Sequence, residues 1–463
     1  MEKMTIADFL ISHKINNPVS FHMPGHKGND HIRKYGYGEF LDNILKCDIT
    51  EIEGADNLFQ PEGIIKNTME SYRRLYGVPE TKLLINGSSC GLIASILATV
   101  KRGEKMIVAR NCHKSIFNGV LLGGVKPIYA KPEFIKEYGI SGEISVDTIK
   151  KLITMNPEAK AVILPSPNYY GVCSDIKEIA RLAHENNMLL IVDQAHGAHL
   201  KFYNETKAAE TRGADIVINS THKTLFSFTE SAILNVCSKR VDIFELEDRL
   251  QAIESSSPSY LLMGSLDINA KILKKHAEEL ISEWKSNIEY FLKEADGIEG
   301  LRIMKHPMLD ETKINLDMSP CGLDGRELEK RLMGKGIYPE LVSGNIVMCM
   351  TGIGNIREDY TRLLNALKEF SDSAERRDLV NLPGECDFNL TLKEIPKAKK
   401  RIKLSEGEGK IVAESIIPYP PGIPIACPGE ILTAEIIEYI KGLREKGYKV
   451  IGIDVNEKIA VGK

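Results

Sequence analysis

The chain has 463 residues, a formal net charge of −4 and 43% hydrophobic residues. This length can bury more than one core, so we expect two or three domains. The near-neutral charge gives no reason to expect binding to nucleic acid or to a membrane surface. We find neither a signal-peptide pattern nor the roughly 18 consecutive apolar residues that cross a bilayer. The nine cysteines form no CxxC pair, which indicates free thiols in a reducing compartment rather than disulfides or a metal site, so we predict a cytoplasmic protein.

Short apolar runs alternate with longer amphipathic stretches from about residue 80 to residue 240. The predicted strands are Lys82–Ile85, Met106–Ala109, Ala161–Leu164, Leu189–Val192 and Ile216–Ile218, and the helices between them include Gly91–Val100, Val146–Met155 and Asp175–Asn186. Apolar residues three and four apart indicate the helices. The alternation predicts an α/β fold with a mostly parallel sheet and helices on both faces. A ligand of such a sheet lies beyond the carboxyl ends of the strands.

The pattern divides the chain into four segments. Residues 1–55 form an N-terminal segment, and residues 56–295 form a large domain that is rich in helix after Val236. Residues 296–372 predict a small α+β domain, with strands Lys313–Asp317 and Ile346–Met350 and helices over 324–334 and 356–372. A polar stretch, Ser371–Asp378, reads as a linker. Residues 373–463 predict a C-terminal domain around Ile416–Glu430, with a helix over 433–446 and a final strand, Val450–Asp454.

Three polar features stand where predicted strands end. Asp193 and Lys223 each follow an apolar run, and the turn Asn86–Gly91 lies between a strand and a helix. A buried lysine is costly as an ammonium ion, and a Schiff base to a cofactor aldehyde makes use of it. An aspartate can pair with a pyridinium nitrogen, and a Gly/Ser turn that enters a helix can bind phosphate. Each feature alone is more often a cap, a turn or a surface lysine, but together they predict pyridoxal 5'-phosphate (PLP) as cofactor.

These features belong to a longer series of motifs that resembles the fold-type I ornithine/lysine/arginine decarboxylases of bacteria. The series comprises Phe21–Gly28, Gly54–Leu58, Asn86–Cys90, Cys112–Ser115, Pro167–Gly171, Asp193–Gly197, Ser220–Leu225, Ser257–Asp267 and Pro418–Glu430. The resemblance implies the PLP-dependent transferase fold of type I, with smaller α+β C-terminal domains. It also implies an active site at a subunit interface. Because the first motif begins near residue 21, without the receiver-like domain of the large enzymes, we expect a homodimer or homotetramer rather than a decamer.

The resemblance implies a catalytic role for some of these residues. Lys223 is the Schiff-base lysine, and Asp193 pairs with the pyridine nitrogen. The cofactor ring lies between Ala195 on one face and His113 on the other. His222 contacts the cofactor or the substrate carboxylate. Either His222 or Lys223 returns the proton to Cα after carbon dioxide has left.

Further cofactor contacts follow from the same resemblance. His196 lies near the phenolic oxygen of the cofactor. Ser88, Ser89 and Cys90 form the phosphate cup, with Ser220 as a further ligand. Cys90 stands where the family usually has threonine and removes a good hydroxyl donor, although its backbone N–H remains. We therefore expect a compensating phosphate contact elsewhere.

A basic substrate requires carboxylates at the far end of the pocket, and a guanidinium favours a bidentate partner. The candidates are Glu230, Glu340, Glu430 and Asp56, some of them from a second subunit. The run Phe226–Glu230 departs from the family's Pro and small residues. It could reshape the substrate channel, or Phe226 and Phe228 are packing residues and Glu230 is solvated or pairs at an interface.

The resulting prediction is a lyase, a decarboxylase that converts arginine to agmatine and carbon dioxide in polyamine biosynthesis. Arginine is preferred because short family members often resemble biosynthetic arginine decarboxylases. The alternatives are lysine or ornithine decarboxylation, and a same-fold PLP enzyme that cyclises, eliminates or transaminates a basic amino acid. A binding or regulatory protein that kept the scaffold without catalysis is a further alternative.

Overall fold

A computed structural model describes residues 4–374, 391–419, 422–445 and 447–463. The N-terminal segment contains α1 (Ile6–Ile15), β1 (Val19–Phe21), α2 (Gly38–Asp42) and α3 (Ile44–Cys47). Strand β1 pairs in parallel with Ile337–Pro339, which belong to the predicted small domain. The N-terminal segment is therefore joined by backbone hydrogen bonds to a distant part of the chain.

The large domain is built on a seven-stranded sheet with the order β2-β10-β9-β8-β7-β3-β4. Its strands are β2 (Glu80–Leu84), β3 (Lys105–Ala109), β4 (Lys126–Ala130), β7 (Ala161–Pro165), β8 (Leu189–Asp193), β9 (Ile216–Asn219) and β10 (Ala232–Val236). A separate hairpin consists of β5 (Phe134–Ile135) and β6 (Ile140–Ser141). Strand β10 runs antiparallel to both of its neighbours, and the other strands are mutually parallel. The predicted mostly parallel sheet is confirmed, whereas β4 and β10 were not predicted.

Helices cover this sheet on both faces. They are α4 (Ile64–Tyr76), α5 (Gly87–Thr99), α6 (Lys114–Gly123), α7 (Val146–Met155), α8 (Ile176–Glu185), α9 (Leu200–Tyr203), α10 (Thr221–Thr224), α11 (Ile243–Ile253) and α12 (Tyr260–Ala295). Every residue of β7, β9 and β10 is buried, as expected for strands with both faces covered. The side chain of Asp175 caps α8 by accepting from the Glu178 N–H, which explains the predicted start of that helix. None of the described helices is both long and apolar enough to span a bilayer.

The small domain has a four-stranded antiparallel sheet with the order β11-β12-β15-β14. Its elements are β11 (Arg302–Ile303), β12 (Lys313–Asp317), α13 (Gly325–Gly334), β13 (Ile337–Pro339), β14 (Leu341–Ser343), β15 (Ile346–Met350) and α14 (Arg357–Asp372). The two predicted strands and the two predicted helices are confirmed. The predicted linker Ser371–Asp378 begins inside α14, and its residues from 375 onward lie outside the described residues.

The C-terminal domain contains two strand pairs, β16 with β19 and β17 with β18. Its elements are β16 (Lys399–Lys403), β17 (Ile417–Tyr419), α15 (Ala434–Glu445), β18 (Lys449–Ile451) and β19 (Lys458–Gly462). The predicted final strand, Val450–Asp454, overlaps β18 only at Val450 and Ile451, and β19 follows it in the chain. Strand β18 ends at Ile451 because Gly452 adopts a φ of +93°, which leaves the extended region. The four-domain division stays a prediction.

Candidate active site

The carboxyl ends of the parallel strands and the turn into α5 meet at one cavity of about 190 Å³. Every predicted cofactor contact except Cys90 lines it, namely Ser88, Ser89, His113, Asp193, Ala195, His196, Ser220, His222 and Lys223. The convergence has a simple cause, since parallel strands deliver the residues that follow them to the same edge of the sheet. The lining also includes Met23, Pro165, Pro167 and Tyr169, for which the sequence analysis gave no role. The sequence could have indicated Pro165, Pro167 and Tyr169 as lining residues, because they lie at the carboxyl end of β7 or directly after it.

Lys223 lies in the one-turn helix α10, after the end of β9. Its Nζ is 3.0 Å from Nε2 of His196. Burial lowers the pKa of Lys223, and the nearby Asp193 carboxylate acts in the opposite direction. The lowered pKa increases the share of the neutral amine, which is the form that attacks an aldehyde.

Asp193 is the last residue of β8 and is buried. One of its carboxylate oxygens accepts from the Ala195 N–H at 3.1 Å. Burial raises the pKa of Asp193, against the opposing effect of Lys223. A cationic ring nitrogen beside this carboxylate would offset its desolvation. The cavity also holds a buried imidazole atom, Nδ1 of His196, that has no hydrogen-bond partner among the described residues.

The amino end of α5 forms one wall of the cavity. Gly87 opens the helix with a φ of +74°, a conformation that glycine adopts readily. The hydroxyl of Ser220 donates to the hydroxyl of Ser88 at 2.8 Å, so the turn after β9 and the start of α5 share a hydrogen bond. Backbone N–H groups, two hydroxyls and the positive helix end together fit a phosphate. The donor set, with Lys223 and Asp193, is therefore chemically suited to PLP.

The Cys90 side chain lies outside the cavity, and the part of Cys90 in the phosphate cup stays a prediction. Its Sγ lies 2.9 Å from Oε1 of Glu254 and 2.9 Å from the Gly87 carbonyl oxygen. Burial raises the pKa of the Cys90 thiol, so it stays protonated and can donate to the Glu254 carboxylate. The thiol therefore points toward α11 rather than into the cavity. The compensating phosphate contact expected elsewhere stays a prediction.

Glu254 was missed by the sequence analysis. Its carboxylate accepts from the backbone N–H groups of Ile85 and Asn86, at 3.3 and 3.1 Å, and so holds the turn that precedes α5. A glutamate at the end of an amphipathic helix carries no signal of such a role. The contact joins residues separated by 168 positions, and only the folded chain reveals it.

The histidines of the cavity are held in the neutral form. His113 caps α6, because its Nδ1 accepts from the Ser115 N–H, and its ring also lines the cavity. Burial lowers the pKa of His113 to about 3 and that of His222 to about 4. Nδ1 of His222 lies 2.8 Å from the Ser231 carbonyl oxygen. Because a carbonyl only accepts, Nδ1 carries the proton and Nε2 keeps its lone pair.

Glu340 is the substrate candidate that lies beside the cavity. One of its carboxylate oxygens accepts from the Met23 N–H at 2.8 Å, and Met23 is part of the lining. The charge of Glu340 also raises the pKa of Lys223, which places the two groups within electrostatic range. A carboxylate from the small domain therefore contacts a residue of the cavity lining and lies within electrostatic range of Lys223.

Two of the other substrate candidates are corrected by the structure. The Asp56 carboxylate accepts from the N–H groups of Glu62, Gly63 and Ile65 at 2.9 Å each, and so caps α4. Glu430 forms a bidentate pair with Arg110 at 2.8 Å, with its own side chain only 2% exposed. Both carboxylates already have strong partners, which leaves neither available for a substrate.

In the segment 226–230, which departs from the family pattern, the two aromatic side chains pack against other rings and the glutamate is exposed. Phe226 is fully buried and contacts the His31 ring at 5.6 Å between centroids, and Phe228 contacts the Phe40 ring at 6.1 Å. The two aromatic residues are thus packing residues, as the second of the two interpretations expected. Glu230 is exposed and has a φ of +85°. Its role at a substrate channel or at an interface stays a prediction.

Comparison with known proteins identifies the same family as the sequence motifs. The family model described as "Orn/Lys/Arg decarboxylase, major domain" matches residues 5–320, and that of the C-terminal domain of the same family matches residues 389–456. The chain is 34% identical to the arginine decarboxylase of Bacillus subtilis, over 96% of this chain and 94% of that protein. It is 31% identical to the arginine decarboxylase of Bacillus anthracis, over 96% of this chain and 93% of that protein.

Solved structures share the fold. Lysine decarboxylase A from Pseudomonas aeruginosa superposes with a TM-score of 0.78 at 20% identity, over 98% of this chain and 80% of that chain. The serine palmitoyltransferase of Sphingomonas wittichii gives a TM-score of 0.60 at 13% identity, over 77% of this chain and 87% of that chain. At these identities the likeness concerns the fold alone. It confirms the predicted PLP-dependent transferase fold of type I.

Proposed function

This chain belongs to the Orn/Lys/Arg decarboxylase family, and from that premise we propose that it converts L-arginine to agmatine and carbon dioxide in the cytoplasm. The observation that carries the proposal is the convergence of Lys223, Asp193 and the amino end of α5 on one cavity. Arginine is favoured over lysine and ornithine because the relatives with 30–34% identity that carry an activity in their names are arginine decarboxylases. The named lysine decarboxylases are more distant, at 22% identity.

PLP is the cofactor that these residues would hold. Lys223 would bind its aldehyde, Asp193 its ring nitrogen, and Ser88, Ser89 and Ser220 its phosphate. When bound, PLP supplies an electron-accepting ring that stabilises the electron pair released when the carboxylate leaves Cα. Asp193 supports this chemistry because a buried carboxylate favours a protonated, cationic ring nitrogen.

Proton transfer falls to Lys223 rather than to His222. With a pKa near 4, His222 is unprotonated at neutral pH and has no proton to give. The Lys223 amine can carry a proton on Nζ, since its lowered pKa makes its ammonium a stronger acid than the ammonium of an exposed lysine. His222 instead fixes the short helix α10 through its hydrogen bond to the Ser231 carbonyl. We assign Lys223 as the general acid and His222 as a positioning residue.

Recognition of the substrate side chain falls to Glu340. A guanidinium presents planar N–H donors that match a carboxylate. Oε2 of Glu340 already accepts from the Met23 N–H, which fixes the orientation of the carboxylate before substrate binds. A fixed acceptor loses less conformational entropy on binding than a free glutamate side chain.

Self-association completes the proposal. Apolar side chains of α1 are exposed, with Phe9 at 54% and Ile11 at 63%, and Leu45 is 90% exposed. Such apolar surface on the N-terminal segment favours contact with a second copy of the chain. We expect a homodimer or homotetramer with the cavity at the subunit interface and with Glu230 in that interface.

One experiment tests the substrate. The purified protein is loaded with PLP and incubated separately with L-arginine, L-lysine and L-ornithine, and the products are identified by mass spectrometry. Agmatine with carbon dioxide from arginine alone is the expected result, and the Lys223→Ala variant serves as the inactive control. Cadaverine or putrescine as the main product would contradict the choice of arginine. A product without release of carbon dioxide would contradict decarboxylation itself.

A further inference from the structure

Lys313 is a fully buried lysine for which no role was predicted. It opens strand β12 of the small domain, and its side chain has 0% exposure. Its ammonium donates to three acceptors, the carbonyl oxygen of His196 at 2.5 Å, Oδ2 of Asp310 at 2.7 Å and Oγ1 of Thr312 at 3.0 Å. An ammonium has three N–H donors, so every donor of this buried group is used.

Asp310 extends the network to a second loop of the cavity. Its carboxylate is 0% exposed and lies 3.2 Å from Nε2 of His199. Nδ1 of the same imidazole lies 3.3 Å from Oγ1 of Thr224, the residue after Lys223. The His199 side chain is itself fully buried. One charged cluster in the small domain therefore reaches both the His196 loop and the lysine helix α10.

A third loop of the cavity is held against the same cluster. The Asp310 N–H donates to the Gly171 carbonyl at 2.7 Å. Gly171 has a φ of +95°, and a Cβ there would lie 2.9 Å from Cβ of Lys313. Tyr169, two residues earlier, lines the cavity and contacts the His196 ring at 4.9 Å between centroids. Asp310 and Lys313 thus contact the loops of Tyr169 and His196 directly and reach the helix of Lys223 through His199.

We propose that Lys313 is a positioning residue that anchors the His196 carbonyl, and with it the Asp193–Gly197 loop, against the small domain for cofactor binding. The inference rests on the proposed PLP site but concerns a residue that touches neither cofactor nor substrate. A buried ion pair is seldom the most stable solution for a protein core, because desolvation of the charges offsets their attraction. Its position behind three loops of one cavity supplies a reason for its presence.

A double variant separates positioning from simple stability. Lys313→Met alone would leave the Asp310 carboxylate buried without its counter-ion, and the protein could fail to fold. Lys313→Met with Asp310→Asn removes both charges, while the amide oxygen still accepts from Thr312. The matched control is Arg302→Met with Asp317→Asn, which removes an ion pair between β11 and the last residue of β12, one with a 2% exposed carboxylate and no contact to the three loops.

Two readouts are taken on the full chain. The first is the apparent Kd for PLP, titrated into apo-protein. We expect it to rise roughly tenfold in the Lys313/Asp310 double variant, as for loss of a buried charge-assisted hydrogen bond, and to stay unchanged in the control. The second is hydrogen–deuterium exchange of the apo-protein over residues 193–200, which we expect to accelerate in the double variant alone.

Failure of the anchoring role can be distinguished from failure of the proposed function. Exchange over residues 193–200 needs no cofactor, so it tests the anchor even if the parent protein binds no PLP. Unchanged exchange in a double variant that retains the parent's melting temperature would overturn the anchoring role. Equal loosening in the control would overturn it as well, because the effect would then reflect general destabilisation of β12.

Discussion

Arg110 and Glu430 join the C-terminal domain to the loop that carries His113. The Arg110 guanidinium donates to both carboxylate oxygens of Glu430 at 2.8 Å and to the carbonyl oxygens of Pro424 and Ile425. Arg110 stands three residues before His113, directly after β3. A carboxylate that the sequence suggested for the substrate thus holds two domains together near the cavity.

Removal of one charge of this pair should destabilise the protein. We expect Glu430→Gln to lower the free energy of unfolding by about 3–5 kcal/mol, because the Arg110 guanidinium, on a side chain only 14% exposed, loses its counter-ion. Urea unfolding measures the change. Glu457→Gln is the control, since its pair with Arg444 is exposed and should contribute no more than about 1 kcal/mol. Equal losses in the two variants would contradict the role of the Arg110–Glu430 pair.

Lys223→Ala should abolish decarboxylation and the visible absorption band of the lysine-linked cofactor. The reason is chemical, because alanine has neither the amine that binds the aldehyde nor a proton to return to Cα. Absorption spectra of the PLP-loaded protein and an assay of released carbon dioxide measure both effects. An undiminished band in the variant would show that another lysine binds the cofactor.

Glu340→Gln should weaken substrate binding more than turnover. Loss of a charge-assisted hydrogen bond to the guanidinium corresponds to a rise in KM of roughly 10- to 100-fold, and kcat should change less if the contact is made equally in the ground and transition states. Steady-state kinetics with arginine measure the split. Glu230→Gln is the comparison: a larger KM effect there would transfer the substrate role from Glu340 to Glu230.

Cys90 should affect stability and leave phosphate binding unchanged. Cys90→Ala deprives the buried Glu254 carboxylate of a donor, and we expect a loss of about 1–3 kcal/mol in the free energy of unfolding. Cys90→Ser keeps a donor and should recover most of that loss. The Kd for PLP should stay at the parent value in the serine variant, because the side chain at this position faces Glu254. Weaker PLP binding with unchanged stability would place the thiol in the phosphate cup after all.

The apo-protein should lose stability as the pH falls from about 6.5 to about 4. Burial lowers the pKa of His26 to about 4, so in this window the unfolded chain binds a proton that the folded chain does not. Such a group stabilises the fold fully above pH 6.5, and its contribution declines by up to about 1.4 kcal/mol per pH unit below it.

His26→Gln should flatten this slope. Urea midpoints measured across the window for the parent and the variant isolate His26, because buried carboxyls such as Asp193, whose pKa is raised, act equally in both proteins. If the urea midpoints of the parent and the variant changed with pH in parallel, His26 would titrate normally in the folded state.

The sequence by itself determined the fold class and the reactive end of the site. Apolar periodicity marked the strands and helices, and the carboxyl ends of parallel strands must meet at one edge of a sheet. Asp193 and Lys223 could therefore be placed together without knowledge of any long-range contact. The motifs from residue 21 to residue 430 likewise identified the family through their residue types, order and spacing alone.

Only the tertiary structure decided which of several equivalent side chains are used. Glu340 and Glu430 are alike as residue types, but Glu340 binds the N–H of the cavity residue Met23 and Glu430 is bound by Arg110. Lys313 lay inside a correctly predicted strand, and its burial behind three loops had no local signal. These roles depend on partners more than 100 positions away in the chain, and burial and charge pairing are properties of the folded neighbourhood rather than of local sequence.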